Sequence, residues 1–141
     1  MLVGLNQYGI VNNDNSFIYT RDLSTCIVVI LHRKSDAVLM HIEAYNGKMN
    51  IERFIHLFNK NVISADIFKS FYTSESDINR IIKLLNEYNI PYDINDVFVN
   101  YSNSTSVGYD YIKNKYYMFY DTEFIEREKG SVLRLEVTTQ P

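Results

Sequence analysis

Cysteine occurs once in this chain of 141 residues, proline twice and glycine five times. A single cysteine excludes an internal disulfide framework, and with it a cysteine-rich zinc site. Basic charge is not in excess either. Fourteen Lys and Arg stand against 17 Asp and Glu, a net of −3. That balance argues against nucleic-acid binding, which needs a basic field to release counterions from phosphates. The longest apolar run, 27–31, is far too short to cross a bilayer. Residues 1–7 carry neither a basic segment nor a long apolar one, so no Sec-type signal is expected. The expectation is a protein that is cytoplasmic as synthesised and does not bind membranes.

What is present describes an ordinary globular domain, with 46% apolar and 22% charged residues. A chain of this length buries roughly two-thirds of its unfolded surface. The 15 Asn and 12 Tyr suit turns, caps and strands. No repeat, low-complexity tract or Pro/Gly/Ser linker divides the chain, so a single domain over 1–141 is expected.

Residues 26–32, Cys-Ile-Val-Val-Ile-Leu-His, read as a buried strand, 33–36 as a turn and 37–43 as a second strand, together a hairpin. Shorter strands are predicted within 1–11 and over 17–20. Asn50 can cap a helix with Ile51, Phe54, Ile55 and Phe58 at i, i+3, i+4 and i+7. Ser74 opens a second helix with the stripe Ile78, Ile81, Ile82, Leu85 and Tyr88, stopped by Pro91. Strands are predicted again over 96–101, 109–112, 116–120 and 131–138. Strands, then helices, then strands give an α+β fold. Its expected core is a β-sandwich of mixed sheets flanked by two helices.

Chemistry gathers around Cys26. It sits where a loop enters a strand, and the preceding 23–25 segment can turn backbone N–H groups toward the thiol as an oxyanion hole, with Ser24 and Thr25 as the contributors. If the 33–36 turn closes symmetrically, Cys26 lies opposite Glu43 and Val28 opposite His41. Side chains alternate along a strand, so Cys26 and His41 then share a face as diagonal neighbours, roughly 7–8 Å apart at the backbone. A register slip of one residue would separate them. A thiol beside an imidazole is the minimum for nucleophilic catalysis. Thr20 could fix the other ring nitrogen through its hydroxyl or its carbonyl.

Thr20, Cys26 and His41, with the lead-in Leu23-Ser24-Thr25-Cys26, resemble the active site of the CheD-type and cytotoxic-necrotizing-factor-type glutamine deamidases, a group that includes Burkholderia lethal factor. In that toxin branch the lead-in is Leu-Ser-Gly-Cys. Here Thr25 replaces the glycine, whose backbone freedom a β-branched residue lacks. The resemblance covers about residues 17–43. It implies a CheD-like catalytic-domain fold, catalytic Cys26, His41 and Thr20, and conversion of a glutamine side chain on a target protein to glutamate through a thioester. It implies no cofactor and no metal, a protein partner presenting an exposed glutamine, and, for a bacterial effector or toxin, delivery into a host cytosol by a route that needs no signal peptide. Two other functions fit the same residues. One is a non-catalytic interaction or immunity-type domain with Cys26 merely packed. The other is a cysteine protease, amidase or transglutaminase.

The remaining histidines and tyrosines invite less. His56, off the apolar stripe, and His32, beside the turn, read as surface residues. Three histidines without His-x-His or His-x₃-His spacing make no metal site. The tyrosines of 109–120 read as a strand pair turning at 113–115, with a single-strand stacking platform as the alternative. Residues 121–129 read as a solvated loop or helix face.

Overall fold

The apolar runs on either side of the 33–36 turn form the centre of the fold. The computed structural model describes residues 1–45, 47–97, 105–119 and 124–128. In chain order the strands are β1 (Leu2–Val3), β2 (Tyr8–Val11), β3 (Phe17–Leu23), β4 (Ile27–Arg33), β5 (Ala37–Ile42), β6 (Ala44–Tyr45), β7 (Lys48–Met49) and β8 (Val62–Ser70). Helix α1 (Glu75–Glu87) follows, then β9 (Tyr92–Val97), β10 (Thr105–Asp110), β11 (Lys115–Phe119) and β12 (Phe124–Glu128). One five-stranded sheet has the order β1-β3-β10-β11-β12, the other β2-β5-β4-β8-β9, and β6 and β7 make a small ribbon. Both large sheets are mixed, through parallel β1–β3 and β8–β9 pairs.

The β4–β5 hairpin sets the frame. The Arg33 N–H donates to the Asp36 carbonyl at 2.9 Å, and the Arg33 guanidinium holds the Asp36 carboxylate at 2.6 and 2.8 Å. The turn is symmetric, so Ile27 pairs with Ile42 and Val28 with His41. Both strands are covered on both faces, as their unbroken apolar runs require. One face, carrying Ile27, Val29, Leu31, Val38, Met40 and Ile42, packs under α1 through Ile78, Ile81 and Leu85. The other, carrying Val28, Ile30 and Leu39, packs against Ile18, Val107, Tyr116 and Met118 of the first sheet. The result is three layers, sheet on sheet on helix. The two cores share the β4–β5 sheet, so the described residues form one domain.

Several expectations are corrected. Among the described residues one helix flanks the sandwich, not two. Residues 50–58 form turns and a short 3₁₀ segment, Ile55–Leu57, closed by i→i+3 bonds from Phe54 to Ile51 and from Leu57 to Phe54, each 2.9 Å. The buried residues are Ile51, Phe54, Leu57 and Phe58, whereas Ile55 is 38% exposed. The core therefore reads a period of three, and the segment is too short to offset the nucleation cost of an α-helix. The second helix forms as expected, with Ser74 accepting from the Asp77 N–H at 3.2 Å. β8, predicted as no element, is the central link between the hairpin and β9, reached through α1 as a βαβ unit. Of the 121–129 segment, Phe124–Glu128 is a strand on β11, not a helix. The predicted strand 131–138, and residues 98–101 of the predicted 96–101, lie outside the described residues. Among the described residues no helix is long and apolar enough to cross a membrane.

Candidate active site

Cys26, Val28, Ile30 and His32 alternate toward the first sheet, so this face of β4 carries a polar group at each end and apolar side chains between. At the entry end, His41 projects from β5 beside Val28. It is 3% exposed, and Thr20, inward-facing on β3 of the opposite sheet, is fully buried. The Thr20 Oγ1 lies 2.7 Å from His41 Nδ1, and it also donates to the Val3 carbonyl at 2.7 Å.

Proton counting fixes the imidazole. A carbonyl can only accept, so the single hydroxyl proton of Thr20 goes to Val3. Thr20 Oγ1 then accepts from His41, which must carry its hydrogen on Nδ1. That leaves Nε2 with a lone pair, the form a general base needs. Nε2 is buried and has no hydrogen-bond partner among the described residues. Of the two roles open to Thr20, the hydroxyl is the one in contact with the ring.

Cys26 is half-buried and free, and its sulfur is not among the hydrogen-bond partners of Nε2. Burial pushes the Cys26 thiol up. The Ala44 N–H pulls it down, the Glu43 carboxylate raises it, and the Thr25 hydroxyl lowers it. Burial lowers the His41 imidazole, with Asp22 acting in the opposite direction. Both groups therefore rest neutral near pH 7, as a thiol and a free base. Iodoacetamide labelling of Cys26 is accordingly expected to climb toward alkaline pH, with no rapid plateau below about pH 7. Intact mass across pH 5–9 checks this; fast labelling on the acid side would contradict it.

The loop ahead of Cys26 is pinned by the turn after β8. The Ser70 hydroxyl donates to the Ser24 carbonyl, and the Thr73 hydroxyl donates to the Cys26 carbonyl at 3.4 Å. With the Ser24 carbonyl turned to Ser70, the Thr25 N–H points to the other side of that planar peptide. Ser24 itself is exposed and Thr25 half-buried. Thr25 is not among the residues with positive φ. In this stretch that role falls to Asp22, at φ 59°. The backbone at Thr25 is therefore one that a β-branched residue can adopt.

Asp22 was not singled out by the sequence, and neither was the Ala44 N–H. Asp22 belongs to a β-bulge: Thr20 pairs with Val107 and Leu23 with Thr105, so Arg21 and Asp22 together oppose Ser106. Bulges recur beside active sites, where they re-aim side chains. No local pattern announces this one, since it depends on pairing with β10.

The far end of the same face holds a second polar cluster. His32 is 8% exposed, which corrects its assignment to the surface. Its Nε2 lies 2.6 Å from Asp66 Oδ2 on β8, and the Tyr116 hydroxyl donates to the same oxygen. Tyr109 packs edge-on to His32 at 5.3 Å and donates to Asn114 Oδ1 at 2.8 Å. Burial, reinforced by the Asp66 charge, pushes the Tyr109 phenol well up. Tyr109, Tyr116 and Tyr117 are all buried, so these rings serve packing and do not form a stacking platform. His56 sits on the 3₁₀ turn, its ring 6.0 Å from that of Tyr8.

Comparison with protein families and with curated proteins finds no match for this chain.

Proposed function

We propose that the chain is a cysteine-dependent protein-glutamine deamidase of the CheD and cytotoxic-necrotizing-factor kind. The observation that supports this reading best is the buried Thr20–His41 contact, which orients an imidazole with its free Nε2 on the face of β4 from which Cys26 projects. Rotation of the Cys26 side chain would bring its sulfur to Nε2 from a diagonal strand position.

The reaction then follows from the protonation states. The sulfur attacks the carboxamide carbon as its proton passes to His41 Nε2. The tetrahedral intermediate collapses with cleavage of the C–N bond, and Nε2 returns the proton to the departing ammonia. Water, deprotonated by the same nitrogen, attacks the thioester carbon. The C–S bond breaks, leaving glutamate and restoring the thiol. The N–H of Ala44 and the hydroxyl of Thr25, both of which favour the thiolate, join the Thr25 and Cys26 N–H groups as candidate donors to the oxyanion. A protein substrate suits the surroundings. Phe71 is 91% and Tyr45 63% exposed, and each is the chain neighbour of a residue that contacts the cysteine or its lead-in. Exposed aromatics of this kind serve as anchors at protein interfaces.

The test is ammonia release from a blocked glutaminyl dipeptide and from casein, with Cys26→Ala and His41→Ala as controls. Release from the parent protein alone, with no peptide-bond cleavage, is the expected result. Cleavage of the chain would favour a protease. No ammonia, with Cys26 inert until the protein unfolds, would leave the interaction or immunity-type domain as the function.

A further inference from the structure

Strand β8 places a hydroxyl beside the cysteine. Asp66 and Phe68 face the first sheet, and Ser70, two residues on, shares their face because side chains alternate. Val28 pairs with Phe68 in the antiparallel β4–β8 ladder, so the same register continued by two residues sets Ser70 opposite Cys26. Ser70 is 1% exposed.

Its polar atoms are all committed. The Ser70 N–H donates to Thr73 Oγ1 at 3.1 Å, and its carbonyl accepts from the Thr73 N–H at 3.2 Å. The hydroxyl oxygen accepts from the Tyr72 N–H at 3.1 Å, a group that can only donate. The single hydroxyl proton is left for the Ser24 carbonyl, to which it is bonded. Thr73, fixed in the same turn, donates to the Cys26 carbonyl. Two side chains from one turn thus hold the carbonyls immediately before and after that of Thr25.

The consequence lies on the other side of the Ser24–Thr25 peptide. In a planar trans peptide the N–H points opposite to the C=O. β4 runs between β8 and β5, so a Ser24 carbonyl turned to β8 sends the Thr25 N–H toward the β5 side. His41 stands on that side, and Ala44 follows there just beyond the end of β5.

We propose that Ser70 is a positioning residue that, by holding the Ser24 carbonyl, aims the Thr25 N–H at the oxyanion formed on the substrate carboxamide. The oxyanion part of this role rests on the deamidase reading above; the held orientation of the peptide does not. A peptide unit in a loop turns about the single bonds that flank it, and a donor fixed beforehand costs no reorganisation when charge develops.

Ser70→Ala removes the hydroxyl without adding bulk, whereas Ser70→Thr retains it. In the full-length ¹⁵N-labelled protein, NMR relaxation at the Thr25 amide is read beside ammonia release from the blocked dipeptide and iodoacetamide labelling of Cys26. In Ser70→Ala the Thr25 order parameter falls from a rigid value to below about 0.6. The kcat falls about tenfold with KM unchanged, less than the roughly 10²- to 10³-fold lost when an oxyanion donor is removed outright. Labelling keeps its rate, because displacement of iodide forms no oxyanion. Ser70→Thr recovers both order and turnover.

A Thr25 amide that stays rigid in folded Ser70→Ala overturns the proposal, as does full kcat in a variant whose amide has loosened. Labelling that slows in step with kcat also overturns it, since the hydroxyl would then be holding the thiol and not the donor. A loosened amide in a protein that releases no ammonia supports the held peptide and removes only the deamidase reading. The parent protein supplies a check that needs no variant. Its buried, bonded Ser70 hydroxyl proton should exchange with water slowly enough to give its own NMR signal, and exchange too fast to observe overturns the bond.

Discussion

Asp66→Ala is expected to cost the fold about 3–5 kcal/mol, a large share of the stability of a domain this size. The Asp66 carboxylate is 2% exposed and accepts from His32 Nε2 on its own sheet and from the Tyr116 hydroxyl on the other. Removing it strands two donors where water does not reach. It also removes a polar tie between the two sheets. Asp66→Asn keeps one acceptor oxygen and should lose about 1–2 kcal/mol, and Tyr116→Phe a similar amount. The double variant Asp66→Ala/Tyr116→Phe should lose less than the sum, because the hydroxyl that the first change strands is absent. Urea midpoints at unchanged slope would measure all four. Additive losses would mean that the hydroxyl and the carboxylate act independently. His32 lies six residues from Cys26 along one strand, about 20 Å, so variants that remain folded should keep their Cys26 reactivity.

Thr20→Val carries the largest expected effect on activity. Valine fills the same buried volume but removes the oxygen that accepts from His41 Nδ1. The ring then has no partner to fix its orientation or to favour the Nδ1–H form, and Nε2 is no longer held as the free base. A loss of about a hundredfold or more in kcat is expected, with little change in KM, since Thr20 touches no substrate. Thr20→Ser, which retains the hydroxyl, should recover most of the rate. The Val3 carbonyl loses its donor as well, so a stability cost of about 1–3 kcal/mol accompanies the change. Ammonia release from the blocked dipeptide and a urea melt separate the two effects. Near-normal turnover in Thr20→Val would end the role of the hydroxyl.

The parts of this site that could be read from the chain were those governed by local rules. The register of Val28 with His41 follows from a symmetric turn between two apolar runs, because a side-chain period of two leaves no freedom once the turn is set. Thr20 could be offered as the third group, but strand register could not place it beside the pair, since it lies on the other sheet. Asp22 was not visible, because its conformation depends on β10, which is distant in sequence. β8 escaped notice for a related reason. Its 62–70 stretch interrupts apolar residues with Asp66 and Lys69, and the polar side chains are resolved only by partners elsewhere: Asp66 by His32 and Tyr116, Lys69 by Asp96 at 2.8 Å. The failed helix at 50–58 illustrates the opposite error, a helical spacing that the core overrode by burying Leu57 and leaving Ile55 outside. His32 looked solvated because it ends a strand, yet it faces the second sheet.

The pairing of β3 with β10 also governs when the site can come into being. The β4–β5 hairpin is local and can close early, while its residues are still emerging from the ribosome. Thr20, by contrast, is held in its strand by Val3 on one side and by Val107 on the other, a contact of high sequence separation that forms slowly. A nascent chain that ends before residue 105 therefore carries the thiol and the imidazole but lacks the strand that holds the bulge and seats Thr20 against the ring. The proposed site would therefore be completed only with synthesis of the last quarter of the chain, residues 105–141.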